Sequence, residues 1–386
     1  MYNKRYMRTK VIIVASFLVL FVVGFVASAT YLTFRHTISQ VIVTQNPGSG
    51  AATPSPTPDP LAQYGVLLLG LRGDDSQGGF LTDTIILALV DPRLQKVTLI
   101  SIPRDLWVPL PISTTQKEHT KINAAYVIGL DDKKYPQKEA KYTGAAGGGT
   151  LAKDIVSEIF GVPVRYFISL DFEGFEKSID ILGGVDVTVT KSFEDPYYPL
   201  PDKETDSCGK SDEEIKALTA TESGDILEHN FMCRYENLVF NKGLVHMDGV
   251  TALKFARSRH SLEDGSDFAR SNRQKQVILA VKDKVLQLGF VTRAIPFIQS
   301  LSGDLRTDIP FEVMQQYAAQ VSQLKNYTTS SIALSIDNAL EQTYSADRQY
   351  ILVPKTGLDN WGSIRDYVHS QLSPTPSPTP KPVTTK

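Results

Sequence analysis

Residues 83–105 read "DTIILALVDPRLQKVTLISIPRD". Two apolar runs, 83–90 and 96–102, are joined by the turn DPRLQ. Neither run alternates strictly between polar and apolar residues, so both faces of each strand are expected to be buried. Such strands belong in a sheet covered on both sides. Upstream, "YGVLLLGL" (64–71) reads as a third strand of the same kind. Downstream, "GGTLAKDIVSEIFG" (148–161) predicts a helix ending at Gly161, with the Gly147–Gly149 run as a flexible lead-in. "VRYFISL" (164–170), "DFEGFEKSIDILGG" (171–184) and "VDVTVT" (185–190) predict strand, helix and strand, an order that implies a crossover unit. Residues 191–245 are polar and acidic and read as an insertion. Two helices follow, over 247–258 and 266–289, the second with Ser266 or Asp267 as its N-cap. A helix near 310–325, strands near 331–336 and 349–354 and a helix over 360–372 complete one α/β domain, residues 61–372.

The chain has 386 residues and a formal net charge of −2, which argues against the basic surface that nucleic-acid binding needs. Its start is different. Residues 1–10 hold Lys4, Arg5, Arg8 and Lys10 and no acid, and residues 11–34 hold no charge at all. That run has the length of a transmembrane helix, and the basic flank favours a cytoplasmic N-terminus with the rest of the chain outside the cell membrane. "ASA" at 27–29 resembles a signal-peptidase site, but the apolar run continues past it, so a retained anchor is the preferred reading. Residues 35–60 read as a Pro-rich linker, its stretch 46–60 long enough in polyproline form to hold the domain roughly 45 Å from the bilayer. The Pro/Thr-rich tail 373–386 cannot bury a core. Cys208 and Cys233 fit no metal pattern. They either remain free or pair outside the cytoplasm, where closing the loop adds roughly 3.5 kcal/mol on a chain-entropy estimate.

Positive charge gathers in "FARSRHSLEDGSDFARSNRQKQ" (255–276), which holds Arg257, Arg259, Arg270, Arg273 and Lys275. Val277, Ile278, Val281, Val285 and Leu288 recur at helical spacing, and the same stripe run backward meets Gln274 and Arg270, placing polar groups on the inward face. Arginines beside a helix N-terminus make a phosphate receptor, because guanidinium forks pair with phosphate oxygens. Arg104 follows directly on the strand ending at Ile102, beyond a strand's carboxyl end where α/β sheets bind ligands; its alternative is a local pair with Asp105. Lys121 adds a charge at a helix start. Asp83, a carboxylate at the head of a buried strand, needs a cationic partner or a metal. Asp74 and Asp75 lie in the Gly-rich loop before it and, taken alone, read as turn residues; near phosphates, such carboxylates suit Mg²⁺ or Mn²⁺.

"LTDTIILALVDPRLQKVTLISIPRDLWV" (81–108), "KINAAY" (121–126), "DFEGFEKSIDILGGVDVTV" (171–189) and "MDGVTALKFARSRHSLEDGSDFARSNRQKQ" (247–276) together resemble the LytR–CpsA–Psr family of bacterial cell-wall proteins. The resemblance implies an αβα sandwich with a central mixed sheet, preceded by one transmembrane helix, and a deep apolar pocket for a lipid tail. It implies a phosphotransferase that moves a glycopolymer from a polyprenyl-pyrophosphate carrier to peptidoglycan. On this likeness Asp83, Arg104, Arg257, Arg259 and Arg270 are catalytic, Lys121, Asp267, Arg273 and Gln274 bind substrate, and Asp83 with Asp75 holds the metal. One departure stands out: where the family has an aspartate in a GxDxR context, this chain reads "GLRGDD", with Leu71 or Arg72 in its place. The same residues also suit a pyrophosphatase with water as acceptor, and the weakened acid position suits a non-catalytic lipid- or polymer-binding regulator.

Overall fold

The computed structural model describes residues 41–44, 61–73 and 79–372, apart from 202, 224, 262, 264, 266, 288–299, 302 and 320–324. The expected anchor over 11–34, Asp74, Asp75 and the tail lie outside the described residues. So does Ser266, one of the two expected N-caps. Among the described residues no helix is long and apolar enough to cross a membrane.

The three apolar runs form adjacent strands β1 (Tyr64–Leu71), β2 (Thr82–Asp91) and β3 (Lys96–Ser101). The DPRLQ turn makes β2 and β3 an antiparallel hairpin pair, with Val90 opposite Val97. A short hairpin, β4 (Trp107–Pro111) and β5 (Lys117–Lys121), follows. Strands β6 (Val164–Asp171), β11 (Leu305–Thr307) and β12 (Thr328–Ala333) complete a six-stranded sheet in the order β11-β6-β1-β2-β3-β12. The sheet is mixed: β6 runs parallel to β1 and β12 parallel to β3, while the other neighbours are antiparallel.

The first face is closed by helices α1 (Ala125–Leu130), α2 (Gly147–Phe160) and, at the chain's far end, α8 (Gly362–Leu372). Leu67, Leu87, Ile100 and Phe167 of the sheet pack here with Leu151, Ile155, Ile159 and Ile364. The Gly147–Gly149 run is not a flexible lead-in. All three residues are buried in the first turn of α2, where a Cβ on Gly147 would stand 2.3 Å from the Gly129 and Tyr142 carbonyl oxygens. Their role is close approach between backbones. Gly161, at φ 68°, ends the helix as the sequence predicts.

The second face is covered differently. Helix α3 (Phe172–Ile181) follows β6, but the next strand, β7 (Val185–Val189), does not return to the main sheet. It pairs antiparallel with β10 (Gly243–Met247), so the expected crossover unit is absent. The reason was in the pattern: Asp186 and Thr188 alternate with buried valines, the period of a strand with one wet face rather than of a strand buried on both sides. Gly183 and Gly184, both at positive φ, turn the chain out of α3.

Residues 191–245 contribute β8 (Phe193–Pro199), helix α4 (Asp212–Thr221) and β9 (Tyr235–Phe240). Cys208 and Cys233 are bonded, with Cα atoms 5.6 Å apart. Phe193, Tyr198, Leu238 and Phe240 join Val185, Val187, Phe255 and Val277 in a second core, so the ends of this segment are built into the domain. Helices α5 (Gly249–Arg257) and α6 (Asp267–Gln287) supply the last two of these residues; α7 (Phe311–Ala319) comes later.

The domain also starts earlier than expected. Val41 and Val43, inside the stretch read as linker, are buried, and Val43 N–H donates to Thr307 O at 2.9 Å. The chain from 41 to 44, within the stretch expected to be linker, is therefore part of the folded unit.

Candidate functional site

The carboxyl ends of β3 and β12 and the start of β2 meet at one end of the sheet. There they border a cavity of about 240 Å³. That volume lies below the ~300–1,000 Å³ of pockets that enclose a whole small ligand, so it suits part of a larger one. Asp83, Thr84, Ser101, Arg104 and Asp105 line it from the sheet, and Arg270 and Gln274 from the first turns of α6. The far wall is Ala333–Asp337 with Tyr350 and Leu352. These last two belong to the hairpin of β13 (Leu340–Tyr344) and β14 (Tyr350–Pro354).

Local chemistry explains how the charged groups arrive. The strand β3 ends before Pro103, which releases the chain so that Arg104 turns back over β2. Its Nη1 donates to Asp83 Oδ1, and its Nε lies 3.7 Å from Asp105 Oδ2. Asp83 thus has the cationic partner that its position demanded. Asp105 is held in turn by Lys121 Nζ at 2.6 Å. Gln274 Nε2 donates to Thr84 Oγ1 at 3.1 Å, fixing α6 against the head of β2. Asp83 and Arg104 are each about a third exposed, at 39% and 32%, so the pair faces the cavity and not the core.

Four of the expected residues therefore come together: Asp83, Arg104, Arg270 and Gln274. Lys121 reaches the site only through Asp105. Arg257 and Arg259 are not among the cavity's lining residues. The Arg257 guanidinium lies 4.1 Å over the Phe172 ring and donates to the Tyr198 hydroxyl, whereas Arg259 is exposed. Arg273 is the most deeply buried of the group, 1% exposed. It donates to Ser258 O and lies 4.7 Å over the Phe193 ring, which fits a bracing role rather than contact with substrate. Asp267 opens α6, but its side chain lies outside the described residues.

Sequence reading missed Asp195. This fully buried carboxylate accepts hydrogen bonds from Ser258 Oγ at 2.6 Å, from Arg259 N–H at 3.0 Å and from His260 N–H at 3.2 Å. Its other oxygen accepts from Tyr197 N–H. The turn after α5 that carries Arg259 is thereby tied to β8. The signal was present: Asp195 sits two residues after Phe193, on the same inward face of a strand. The lining of the far wall by residues 333–337 was also missed, because nothing in that stretch has a recognisable chemistry.

Asp171, at the carboxyl end of β6, accepts from Gly174 N–H at 2.8 Å and caps α3. Burial pushes its carboxyl above the ordinary range, and the Asp304 and Glu173 charges push the same way. Gly73 packs against it: a Cβ there would stand 2.4 Å from that of Asp171.

A mixed sheet with helices on both faces and, at its end, a cavity lined by charges of both signs defines an α/β protein with a candidate site. The model of the LytR_cpsA_psr family matches residues 36–360, and the chain belongs to that family. It is 27% identical over 259 residues, 66% of its length, to the polyisoprenyl-teichoic acid–peptidoglycan teichoic acid transferase TagU of Enterococcus faecalis, and covers 64% of that protein. The corresponding TagU of Oceanobacillus iheyensis is 26% identical over 69% of this chain and 65% of its own. The chain thus spans less than two thirds of these relatives' length. The crystal structure of Bacillus subtilis TagV shares the fold, with a TM-score of 0.52 at 22% identity, over 82% of this chain and 99% of that one.

Proposed function

We propose that this protein is a membrane-anchored transferase that joins a glycopolymer, carried on a polyprenyl pyrophosphate, to peptidoglycan. The observation that carries the reading is the Asp83–Arg104 pair facing Arg270 and Gln274 across a cavity at the end of the sheet. The transferase names of the relatives point the same way. In the reaction, an acceptor hydroxyl oxygen attacks the phosphorus that bears the sugar. A new P–O bond forms to the acceptor, and the bridging P–O bond breaks. Polyprenyl monophosphate leaves, and the hydroxyl proton passes to the Asp83 carboxylate. Charge grows on the leaving phosphate, and Arg104 and Arg270 are placed to stabilise it, as fixed charges do in phosphoryl transfer.

The second sheet face supports the lipid part. Between the sheet and α6, Val66, Leu68, Val97 and Ile278 remain only partly buried around Ile86, Ala88 and Leu99. Apolar surface of that kind, continuous with a charged headgroup site, suits a polyprenyl chain. Arg257, at the end of α5, and Arg259, on the turn after it, are the further cations this reading assigns to the rest of the headgroup. Residues 11–34 supply the anchor on this reading, with the catalytic domain outside the cell.

The donor set fits a divalent cation only in its smallest form. Asp83 keeps one oxygen beyond its bond to Arg104, while Asp105 is shared between Lys121 and Arg104. Among the described residues the one group of three close ligand atoms, Asp206 with Cys208 and Cys233, has its sulfurs in a disulfide. Mg²⁺ or Mn²⁺ held by Asp83 and the substrate's own phosphate oxygens, with Asp75 as a further donor, would neutralise charge on the pyrophosphate.

The test is transfer by the full chain, reconstituted with lipid-linked glycan and peptidoglycan. Arg104→Ala is expected to lower the rate about 10²–10³-fold, with an unchanged melting temperature. Wild-type rates in that variant would overturn the assignment.

A further inference from the structure

The cavity's far wall leads out onto a surface that the donor does not account for. In the β13–β14 hairpin, Tyr344 pairs directly with Tyr350 and Gln342 with Leu352. Paired residues share a face, so the two tyrosines and Gln342 lie on the side of the hairpin whose buried base is Leu352. Tyr350 and Leu352 line the cavity, while Tyr344, 64% exposed, extends the patch outward. The hairpin is also fastened to the reacting centre. Leu352 N–H donates to Asp105 O at 3.0 Å, one residue from Arg104. Asp337, exposed, stands on the same cavity wall.

We propose that this tyrosine face is the acceptor subsite, which binds the saccharide chain whose hydroxyl receives the polymer. The proposal rests on the transferase reading above. Tyrosine rings offer flat apolar surface to the C–H face of a pyranose, and the Gln342 amide and Asp337 carboxylate offer partners for its hydroxyls. A polyprenyl tail would leave those polar groups unpaired. A phosphate-rich donor polymer would meet a net negative stretch: residues 335–350 hold Asp337, Glu341 and Asp347 against Arg348, with Lys121 near Asp347 as a partial offset and Glu341 on the other face. A neutral or amino-sugar chain meets neither obstacle, and passage from Tyr344 over Tyr350 delivers it to Asp83 and Arg104.

The experiment uses the full chain in detergent, pelleted with peptidoglycan stripped of attached polymer. Replacing both tyrosines, Tyr344→Ala with Tyr350→Ala, should weaken co-pelleting about fivefold to tenfold, while the Tyr344→Phe and Tyr350→Phe pair stays within about twofold. In the transfer assay Tyr344→Ala alone, which lies outside the cavity lining, should raise KM for the glycan acceptor and leave KM for the lipid-linked donor in place. Unchanged co-pelleting overturns the proposal, and so does a rise confined to the donor KM. Co-pelleting needs no turnover, so a wild-type protein that binds peptidoglycan through these tyrosines but transfers nothing would refute the transferase reading, and the acceptor role with it, while the saccharide-binding face remained.

Discussion

The two faces of the central sheet are built from the same strands, residue by residue in alternation, yet they end in different states. Leu67, Leu87 and Leu89 point to the first face and are 0–2% exposed beneath α1, α2 and α8. Val66 and Leu68, their immediate neighbours, point to the second face and stay only partly buried. Composition does not explain the difference, since both sets are aliphatic. The covering layer does. Helices α3, α5 and α6 turn Ile179, Phe255 and Val277 into a core of their own with β7 and β10, while Ile278 of α6 packs on the sheet. A strand pattern that is apolar on both sides normally means protein on both sides; here the second side is covered more loosely, and on the proposed reading that looseness admits an apolar ligand.

The contrast breaks most clearly at neighbouring positions. Leu87→Ala on the closed face should cost about 2–5 kcal/mol of stability, the range for a buried leucine. Leu68→Ala on the open face should cost about 1 kcal/mol or less and raise KM for the lipid-linked donor. Chemical denaturation of the two variants beside donor titration checks both. Equal stability losses would mean that the second face is as tightly filled as the first.

A smaller effect tests the layer over the open face. Asp195→Ala would strip acceptors from Ser258 Oγ and from three backbone N–H groups in a buried place. Each abandoned donor costs about 1–3 kcal/mol before relaxation, so a net loss of about 3 kcal/mol is expected. Limited proteolysis should show faster cleavage within 257–266 than in Leu87→Ala brought to the same stability. If cleavage there is no faster, the carboxylate does not hold the turn.

The smallest effect lies at two helix caps in that same layer. Asp248 caps α5 and is held below the ordinary carboxyl value by its hydrogen bonds from Thr251, while burial drives Asp171, which caps α3, the other way. A lowered value means that Asp248 stabilises the fold above its ordinary value near 3.8 and that this help vanishes as pH falls through the folded value. A raised value means the reverse for Asp171: its relative contribution is full at low pH and lost as pH rises through the folded value. Asp248→Asn should therefore fall behind the wild type by a few tenths of a kcal/mol at neutral pH, given solvent screening, and match it in acid. Asp171→Asn should gain on the wild type as pH rises. Melting curves from pH 2.5 to 7 read both signs.

Much of the sheet was legible because long apolar runs bounded by proline and glycine leave few alternatives. The β7 strand misled because its place after a helix was weighed above its own alternation of valine with Asp186 and Thr188. At the site, Asp83 and Arg104 declared themselves as charges at strand ends, and the helical stripe placed Arg270 and Gln274 correctly. The same stripe gave no reason to separate Arg270 from Arg273. One lines the cavity and the other is sealed beneath the turn, because β8 rises beside α6, and that pairing joins residues some eighty positions apart. The Tyr344–Tyr350 patch was invisible for a similar cause: it exists only through the register of a hairpin whose first strand is mostly polar.

The docking of Val41 and Val43 against β11 fixes a leash length. Six residues, 35–40, separate that mooring from the uncharged stretch ending at Phe34. Fully drawn out they reach roughly 20 Å. If the apolar stretch is seated in a bilayer, as the proposed function has it, the domain would ride within one protein radius of the lipid surface, and a carrier lipid would have to rise only a short way to be engaged.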